Sequence, residues 1–387
     1  MSKNNQWTYT NMQRKKIVDM LMSGEYTHKE ISNMTGVGSA TLTRWKGKCH
    51  DIEFASDKAE GILPESHFIK GLSTNIKGDG TITQQWVKTT RDMQHLRETV
   101  DATILGMIDD FPKIKPIAKP KNVHNDLAVV IPIGDAHIGM YSWAKETGED
   151  FNLEIAKRDL CTAFDYLIDQ GPSCERAIIA NVGDFFHYHA MEAKTEKHGN
   201  MLDASGRPQE MVQAGVTALR YCIEKAAKKH GKVEVINVSG NHDGLIAYSL
   251  SVMLKHIYEK DSRIIIHDSP SSRHYIQHGK VLIGVVHGHQ TKDKDLAALM
   301  AAEQPEKWGK TQHRVWFRGH HHHDSRVEYI GAVVEQIRTL APNDAYASNG
   351  GYLSGRDIKQ IIYHKEYGEW GRAICGIDLI RALQKKA

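Results

Sequence analysis

The sequence predicts an α/β domain behind a small all-helical module. Five apolar runs each end in glycine with Asp, Asn or His: DLAVVIPIGD (126–135), RAIIANVGD (176–184), VEVINVSGNHD (233–243), KVLIGVVHGH (280–289) and HRVWFRGHHHH (313–323). Amphipathic stretches at about 152–170 and 208–230 separate the first three, and strands alternating with helices read as α/β. The first 48 residues differ in kind, with eight basic against three acidic residues and three short helical periodicities.

Taken in order, a first helix at about 11–22, in MQRKKIVDMLMS (12–23), places Ile17, Met20 and Leu21 on one face. THKE follows, where Thr27 can cap a second helix and Glu30 can close a capping box. TGVGS makes a turn, and SATLTRWK (39–46) is a third helix with Leu42 or Trp45 packing inward. This arrangement resembles a helix-turn-helix, whose third helix would offer Thr41, Thr43, Arg44 and Lys46 to DNA. GLSTNIKGDGTITQQWVK (71–88) has an Asp-Gly turn between alternating stretches and reads as a hairpin. Residues 88–111 read as a polar helix. FPKIKPIAKPKN (111–122) alternates proline with lysine and reads as an extended linker. The expected division is therefore a module at 1–50, a connector at 51–122 and the main domain at 123–387.

Composition narrows the class. The chain of 387 residues is 40% apolar and 25% charged, with a formal net charge of +3. These are the proportions of a soluble globular protein. No apolar run reaches the roughly 20 residues of a membrane span, and MSKNNQWTYT lacks the apolar core of a signal peptide. Five dispersed cysteines without a CxxC spacing fit a reducing, cytoplasmic setting. Histidine, with 23 copies, is the unusual residue.

In α/β sheets ligands gather at the carboxyl ends of strands. The clusters there are Asp135 and His137 in GDAHIG, Asp184 in GDFFH, Asn241, His242 and Asp243 in GNHD, His287 in HGH, and His320 and His322 in GHHHH. Carboxylate, imidazole and amide donors without thiolate favour manganese, iron, zinc or a similar ion over an all-oxygen magnesium site. Seven such ligands suit two ions about 3.5 to 4 Å apart.

The ordered series D-x-H, G-D, G-N-H-D, H-G and G-H-x-H, over residues 134–322, resembles the calcineurin-like metallophosphoesterases. That resemblance implies a sandwich of two mixed β-sheets flanked by helices, an αββα arrangement, over roughly 126–380. It implies a first metal on Asp135, His137 and His322 and a second on Asn241, His287 and His320, with Asp184 bridging. The cofactors would be two divalent ions, manganese first, with iron, zinc or nickel also fitting. His242 would stabilise the transition state and protonate the leaving group, and Asp243 would orient its imidazole. The family's H-G order selects His287 over His289. Gly319 sets the frame to His320 and His322, and on a strand end residues i and i+2 point the same way.

GDFFHYH, without the arginine-containing extension of protein phosphatases, looks more like the branch of DNA-repair nucleases related to Mre11 and SbcD. A basic helix-turn-helix before this domain also looks like uncharacterised phage or prophage phosphoesterases. The expectation is a DNA phosphodiesterase acting by in-line attack of a metal-bridging hydroxide, in bacterial or host cytoplasm, with DNA as partner, no membrane and a possible homodimer. Phe185, Phe186, His187, Tyr188 and His189 would shape substrate access. The loop after them would touch a phosphodiester through Lys194, Lys197, His198 or Arg207. Tyr346, Tyr352 and Arg356 are further candidate contacts. The alternatives are a small-molecule phosphomonoesterase or cyclic-nucleotide phosphodiesterase, and a DNA-binding regulator with a silent phosphoesterase domain.

Overall fold

The computed structural model describes residues 17, 20, 21, 23–39, 41–43, 67–76, 82–91, 113–189, 193, 194 and 201–386, with 67–76 and 82–91 described by their backbone. The chain divides into two compact units, 1–100 and 101–387.

In the first unit, helix α1 (His28–Thr35) starts at the expected capping box. Thr27 Oγ1 accepts the Glu30 amide, and the Glu30 carboxylate accepts the Thr27 amide at 2.7 Å. Gly36 ends the helix in the left-handed region at φ 72°, which glycine adopts without steric cost. Ile17, Leu21, Ile31, Val37 and Leu42 bury together as one small core. Leu42 thus faces inward as expected, while Thr43 is exposed and Thr41 half-buried. Arg44, Trp45 and Lys46 lie outside the described residues, as does most of 88–111. Strands β1 (His67–Ile76) and β2 (Ile82–Arg91) pair antiparallel, the hairpin expected around the Asp-Gly turn.

The second unit begins with β3 (His124–Ile133), α2 (Leu153–Gln170), β4 (Cys174–Asn181), α3 (Pro208–Lys229), β5 (Lys232–Asn237) and α4 (Gly244–Ile257). There follow β6 (Ile264–His267), β7 (Arg273–His278), β8 (Val281–Val286), α5 (Leu296–Glu303), β9 (His313–Arg318), β10 (Ser325–Tyr329) and β11 (Ala332–Gln336). Strands β12 (Asp357–His364) and β13 (Gly368–Gly376) and helix α6 (Ile377–Gln384) complete it. One sheet has the order β13-β12-β3-β4-β5-β6, parallel from β3 to β6 and antiparallel across β13-β12-β3. The other has the order β10-β11-β9-β8-β7, parallel in its centre and antiparallel at both edges.

Both sheets are mixed, and their inner faces share one core. Val130, Ile178, Ala180 and Ile236 of the first meet Ile276, Ile283, Val285, Val315 and Phe317 of the second. The alternate residues Leu282 and Val286, with Trp316 and Val334, face outward and bury against Leu296, Ala297 and Met300 of α5. This period-two division of apolar residues between two faces is why β8 reads as an unbroken apolar run. The fold is the expected α/β sandwich of two mixed sheets flanked by helices.

The Pro/Lys segment, expected as an extended linker, is tied to the rest of the second unit. Lys113 pairs with Glu259 at 2.5 Å, the Ile114 amide donates to the Ile257 carbonyl at 3.1 Å, and the Ile117 amide donates to Asp261 at 2.8 Å. The contact division falls after Val100 rather than near 122, because this segment is bound along the second unit. Among the described residues no helix is long and apolar enough to cross a membrane.

Candidate metal centre

The donor side chains sit in loops immediately past strand ends. Asp135 follows β3, Asp184 follows β4, Asn241 follows β5, His287 follows β8 and His320 follows β9. Carboxyl ends of parallel strands from both sheets therefore converge at one edge of the sandwich. Across that edge His287 Nε2 lies 3.0 Å from Asp184 Oδ2 and 3.0 Å from Asn241 Oδ1.

The backbone there is unusual in a specific way. Among the described residues, five non-glycine residues have positive φ: Asp135 (34°), His137 (44°), Asp184 (50°), His320 (79°) and His322 (57°). All five are residues singled out from the sequence as ligands. Left-handed backbone costs a non-glycine residue of order 1–3 kcal/mol and persists where the surroundings over-determine it. Two glycines make room for the turns. A Cβ at Gly240 would lie 1.9 Å from Asp184 Oδ1, and one at Gly319 would lie 2.5 Å from Asp135 Oδ2.

The donors form two adjoining groups. Asp135, His137 and His322 offer atoms mutually within 4.8 Å, and so do Asp184, His287 and His320. In the first group the Nε2 atoms of His137 and His322 are 3.2 Å apart, and His322 Nε2 is 3.5 Å from Asp135 Oδ1. Asp135 is fully buried and also accepts the His320 amide, at 2.9 and 3.0 Å to its two oxygens.

Hydrogen bonds on the far side of each ring fix which nitrogen faces inward. His287 Nδ1 lies 3.0 Å from the Val182 carbonyl, which can only accept, so Nδ1 carries a proton and Nε2 is the nitrogen that faces Asp184 and Asn241. Burial acts to lower this ring, but the hydrogen bond and charge of Asp184 outweigh it and raise it to about 9, so a cation would bind in place of the Nε2 proton. His137 Nδ1 lies 3.3 Å from Nδ1 of buried His187. Burial, with the neighbouring His242, holds His187 down to about 3, so His187 is neutral and can accept from His137. Burial pushes His320 down to about 4, which also leaves it neutral at pH 7. Burial acts to raise the Asp184 carboxyl, but the hydrogen bond and charge of His287 outweigh it and hold Asp184 low. These buried, mutually close lone pairs and carboxylates, with outer partners orienting them, are a donor set that suits divalent cations.

Several expectations need correction. His320 and His322 do not converge by strand alternation. Strand β9 ends at Arg318, both residues lie in the following loop, and their left-handed backbones send them to different groups. Asp243 does not hold the His242 ring. Its carboxylate accepts the amides of Gly240 (2.8 Å), Phe185 (2.8 Å) and Phe186 (3.2 Å), pinning the GDFF loop to the GNHD loop. Burial, reinforced by the charge of Asp184, raises its carboxyl. The ring of His242 is instead oriented by the His187 carbonyl, 2.9 Å from Nδ1.

Phe185, Phe186, His187 and Tyr188 are buried and so do not line an entrance. Arg356 donates to the Leu340 carbonyl at 2.8 Å and pairs with Glu149, so its fork is used within the fold. Lys197 and His198 lie outside the described residues, while Arg207 leads directly into α3. His289 is half-buried, with its ring 5.2 Å from His287 and 6.1 Å from His320. His321 and His323 are exposed and stack on each other at 5.8 Å. The role of His187 was missed; its signal was its place three residues after Asp184, in GDFFH.

No protein-family model matches the sequence, and no curated protein matches it. Solved structures with a similar course include an archaeal phosphodiesterase (15% identity, TM-score 0.32), covering 64% of this chain and 99% of that one. YfcE, a phosphoesterase from E. coli, shows 13% identity and a TM-score of 0.32, covering 63% and 98%. A predicted phosphoesterase from Streptococcus pneumoniae TIGR4 shows 10% identity and a TM-score of 0.28, covering 65% and 98%. Likeness at these levels fixes no chemistry, and the functional reading rests on the side chains.

Proposed function

We propose that the chain is a metal-dependent phosphoesterase that hydrolyses phosphodiester bonds in DNA. The observation that carries this reading is the convergence of Asp135, His137 and His322 with Asp184, His287 and His320 at one sandwich edge. Asp135, His137 and His322 would hold one divalent ion, and Asn241, His287 and His320 a second, with Asp184 shared between them. Bound divalent ions at such a site neutralise phosphoryl oxygens and lower the pKa of water.

The protein's own groups account for the rest. His242 donates Nδ1–H to the His187 carbonyl, which leaves Nε2 as the atom that exchanges a proton with the leaving alkoxide. Its amide donates to Asp184 Oδ1 at 2.8 Å, so the acid and the central carboxylate are held in one register. Asp243, fully buried, keeps both loops together. In the first unit, Thr41, Thr43, Arg44 and Lys46 would contact DNA, a reading supported by the exposed Thr43 beside buried Leu42. Tethering even a weak duplex binder raises the local substrate concentration.

The deciding experiment compares bis-p-nitrophenyl phosphate, p-nitrophenyl phosphate and linear single- and double-stranded DNA, each with Mn2+. Diester and DNA hydrolysis lost in Asp184→Asn and His242→Ala is the expected result. Full activity in Asp184→Asn would refute the metal assignment. Preference for the monoester would favour a small-molecule phosphatase, and DNA binding without any hydrolysis would favour a silent domain.

A further inference from the structure

We propose that Tyr141, Trp143, Tyr346 and Tyr352 form a stacking platform for the unpaired bases of single-stranded DNA entering the metal centre. The inference rests on the phosphodiesterase reading and adds the form of the substrate.

These four rings are exposed by 45%, 48%, 78% and 60%, although burial of an aromatic side chain is strongly favourable. They come from two segments far apart in sequence and tied together in space. Ser142 Oγ donates to the Asn343 carbonyl at 2.8 Å, and Ser348 Oγ donates to the Glu146 carbonyl at 3.4 Å. Tyr141, Trp143 and Ala345 line one groove with Glu146, Thr147 and Asp203. Tyr346 and Tyr352 lie nearly parallel, their ring centres 6.4 Å apart and their planes at 27°.

The backbone beneath is fixed. The Tyr141 amide donates to the Asp203 carbonyl at 2.9 Å, Ser142 bridges to Phe151, and Asp344 caps the short helix under Tyr346 through the Ala347 amide at 2.8 Å. Rings carried on a pinned backbone lose less entropy when a ligand stacks on them than rings on a free segment would.

Both segments of the platform lead away from the donor turns; at the start of the second, Thr339 Oγ1 donates to the Asp135 carbonyl at 2.6 Å. The Met140 amide donates to the carbonyl of His137 at 2.9 Å, so Tyr141 directly follows the turn that carries a metal-ligand candidate. A strand whose phosphate sits at the donors must lay its neighbouring nucleotides on an adjoining wall. Bases offer π-faces to such a wall whatever their sequence, and Lys145 Nζ stands over the Trp143 ring, 5.4 Å from its centre, as a cation at the platform. A duplex keeps its bases stacked on one another, so the platform selects unpaired strands.

The test measures kcat/KM with Mn2+ on a single-stranded oligodeoxynucleotide and on an oligomer of equal length whose sugars carry no bases (tetrahydrofuran residues). Trp143→Ala and Tyr346→Ala should each lower kcat/KM on the base-bearing strand by about 5- to 150-fold, mainly through KM, given a stacking contribution of 1–3 kcal/mol per base. The abasic oligomer should be cut as by the wild type, and Trp143→Phe should retain the preference. Equal effects on both oligomers, or no effect on either, would overturn the platform, as would a change of oligomeric state with base preference intact. Wild-type failure on bis-p-nitrophenyl phosphate would instead sink the phosphodiesterase reading. Hydrolysis of that diester without cleavage of the oligonucleotide would sink the platform alone.

Discussion

Replacing Gly240 by alanine probes the metal centre without altering a donor. The added Cβ would lie 1.9 Å from Asp184 Oδ1, 2.4 Å from the Asp184 amide nitrogen and 2.7 Å from its Cγ. Ordinary contact begins near 3.4 Å, so the carboxylate must retreat by roughly 1.5 Å. The amide nitrogen cannot follow freely, because Asp184 already stands in the left-handed region at φ 50°. Retreat breaks the hydrogen bond from the His242 amide and opens the 3.0 Å approach to His287 Nε2. A misplacement of about 1 Å at a reacting centre costs on the order of 100-fold in rate. The expected outcome is a loss of at least about 100-fold in kcat/KM on bis-p-nitrophenyl phosphate, with metal lost on gel filtration as measured by plasma mass spectrometry.

Gly244 supplies the comparison. A Cβ there meets nothing within 4 Å, and the residue opens α4, where alanine is a better helix former than glycine. Gly244→Ala should keep full metal content and activity with an equal or higher melting temperature. If Gly240→Ala folds with unchanged circular dichroism, holds its metal and works within about threefold of the wild type, then the proposed role of Asp184 as a metal ligand is refuted.

Three further predictions follow from particular contacts. His320→Ala and His322→Ala should each cost more than the roughly 10- to 100-fold typical of losing an outer partner of a metal ligand, whereas the exposed pair His321→Ala and His323→Ala should stay within threefold; equal losses at all four would refute the frame. His230 is buried, its Nδ1 accepts the Cys174 amide at 3.1 Å, and burial with the Lys229 charge holds it down to about 4. Between pH 6.5 and 4 the unfolded chain carries a proton on this ring that the folded one refuses, so stability is present above that window and is lost as pH falls through it. Going from pH 7.5 to 5, His230→Asn should lose about 2 kcal/mol less unfolding free energy in urea than the wild type does; identical losses would refute the assignment. Arg356→Ala should lower the melting temperature, at a cost of about 1–3 kcal/mol for the unsatisfied Leu340 carbonyl, and leave KM unchanged; a raised KM at constant stability would restore it as a substrate contact.

The sequence reveals donors better than partners. The candidate donors Asp135, His137, Asp184, Asn241, His287, His320 and His322 are legible because few residue types can serve as ligands and because strands of an α/β sheet deliver them to one edge, while their frame and roles come from the family resemblance. The inner strands are legible for a related reason: β3, β4 and β8 are buried on both faces and read as apolar runs. Strands β10 and β13 lie at sheet edges with partly exposed residues, and their mixed pattern resembles loop. Outer partners leave still less trace. Val182 orients His287, and His187 orients His242, through main-chain carbonyls that every residue possesses. The resemblance implies Asp243 as the imidazole partner of His242, but three backbone amides claim its carboxylate.

The left-handed residues connect these two levels. Aspartate and histidine, with asparagine, are the non-glycine types most tolerant of positive φ, because short polar side chains bond locally to the backbone. They are also the oxygen and nitrogen donors that hard and borderline cations require. A residue chosen for one property therefore brings the other. A strand end can turn sharply at a ligand without a glycine there, leaving glycine for the position before it, as Gly134, Gly183 and Gly319 precede Asp135, Asp184 and His320. The Gly-Asp and Gly-His signatures are the sequence image of that backbone. Gly319→Ala should accordingly act through Asp135, whose Oδ2 lies 2.5 Å from the added Cβ, and not through the folding of β9. The same reasoning gives the Gly319 frame in GHHHH a physical basis other than strand alternation. Gly319 permits the close approach to Asp135, and the histidine after it enters the left-handed turn that aims its ring at Asp184 and His287.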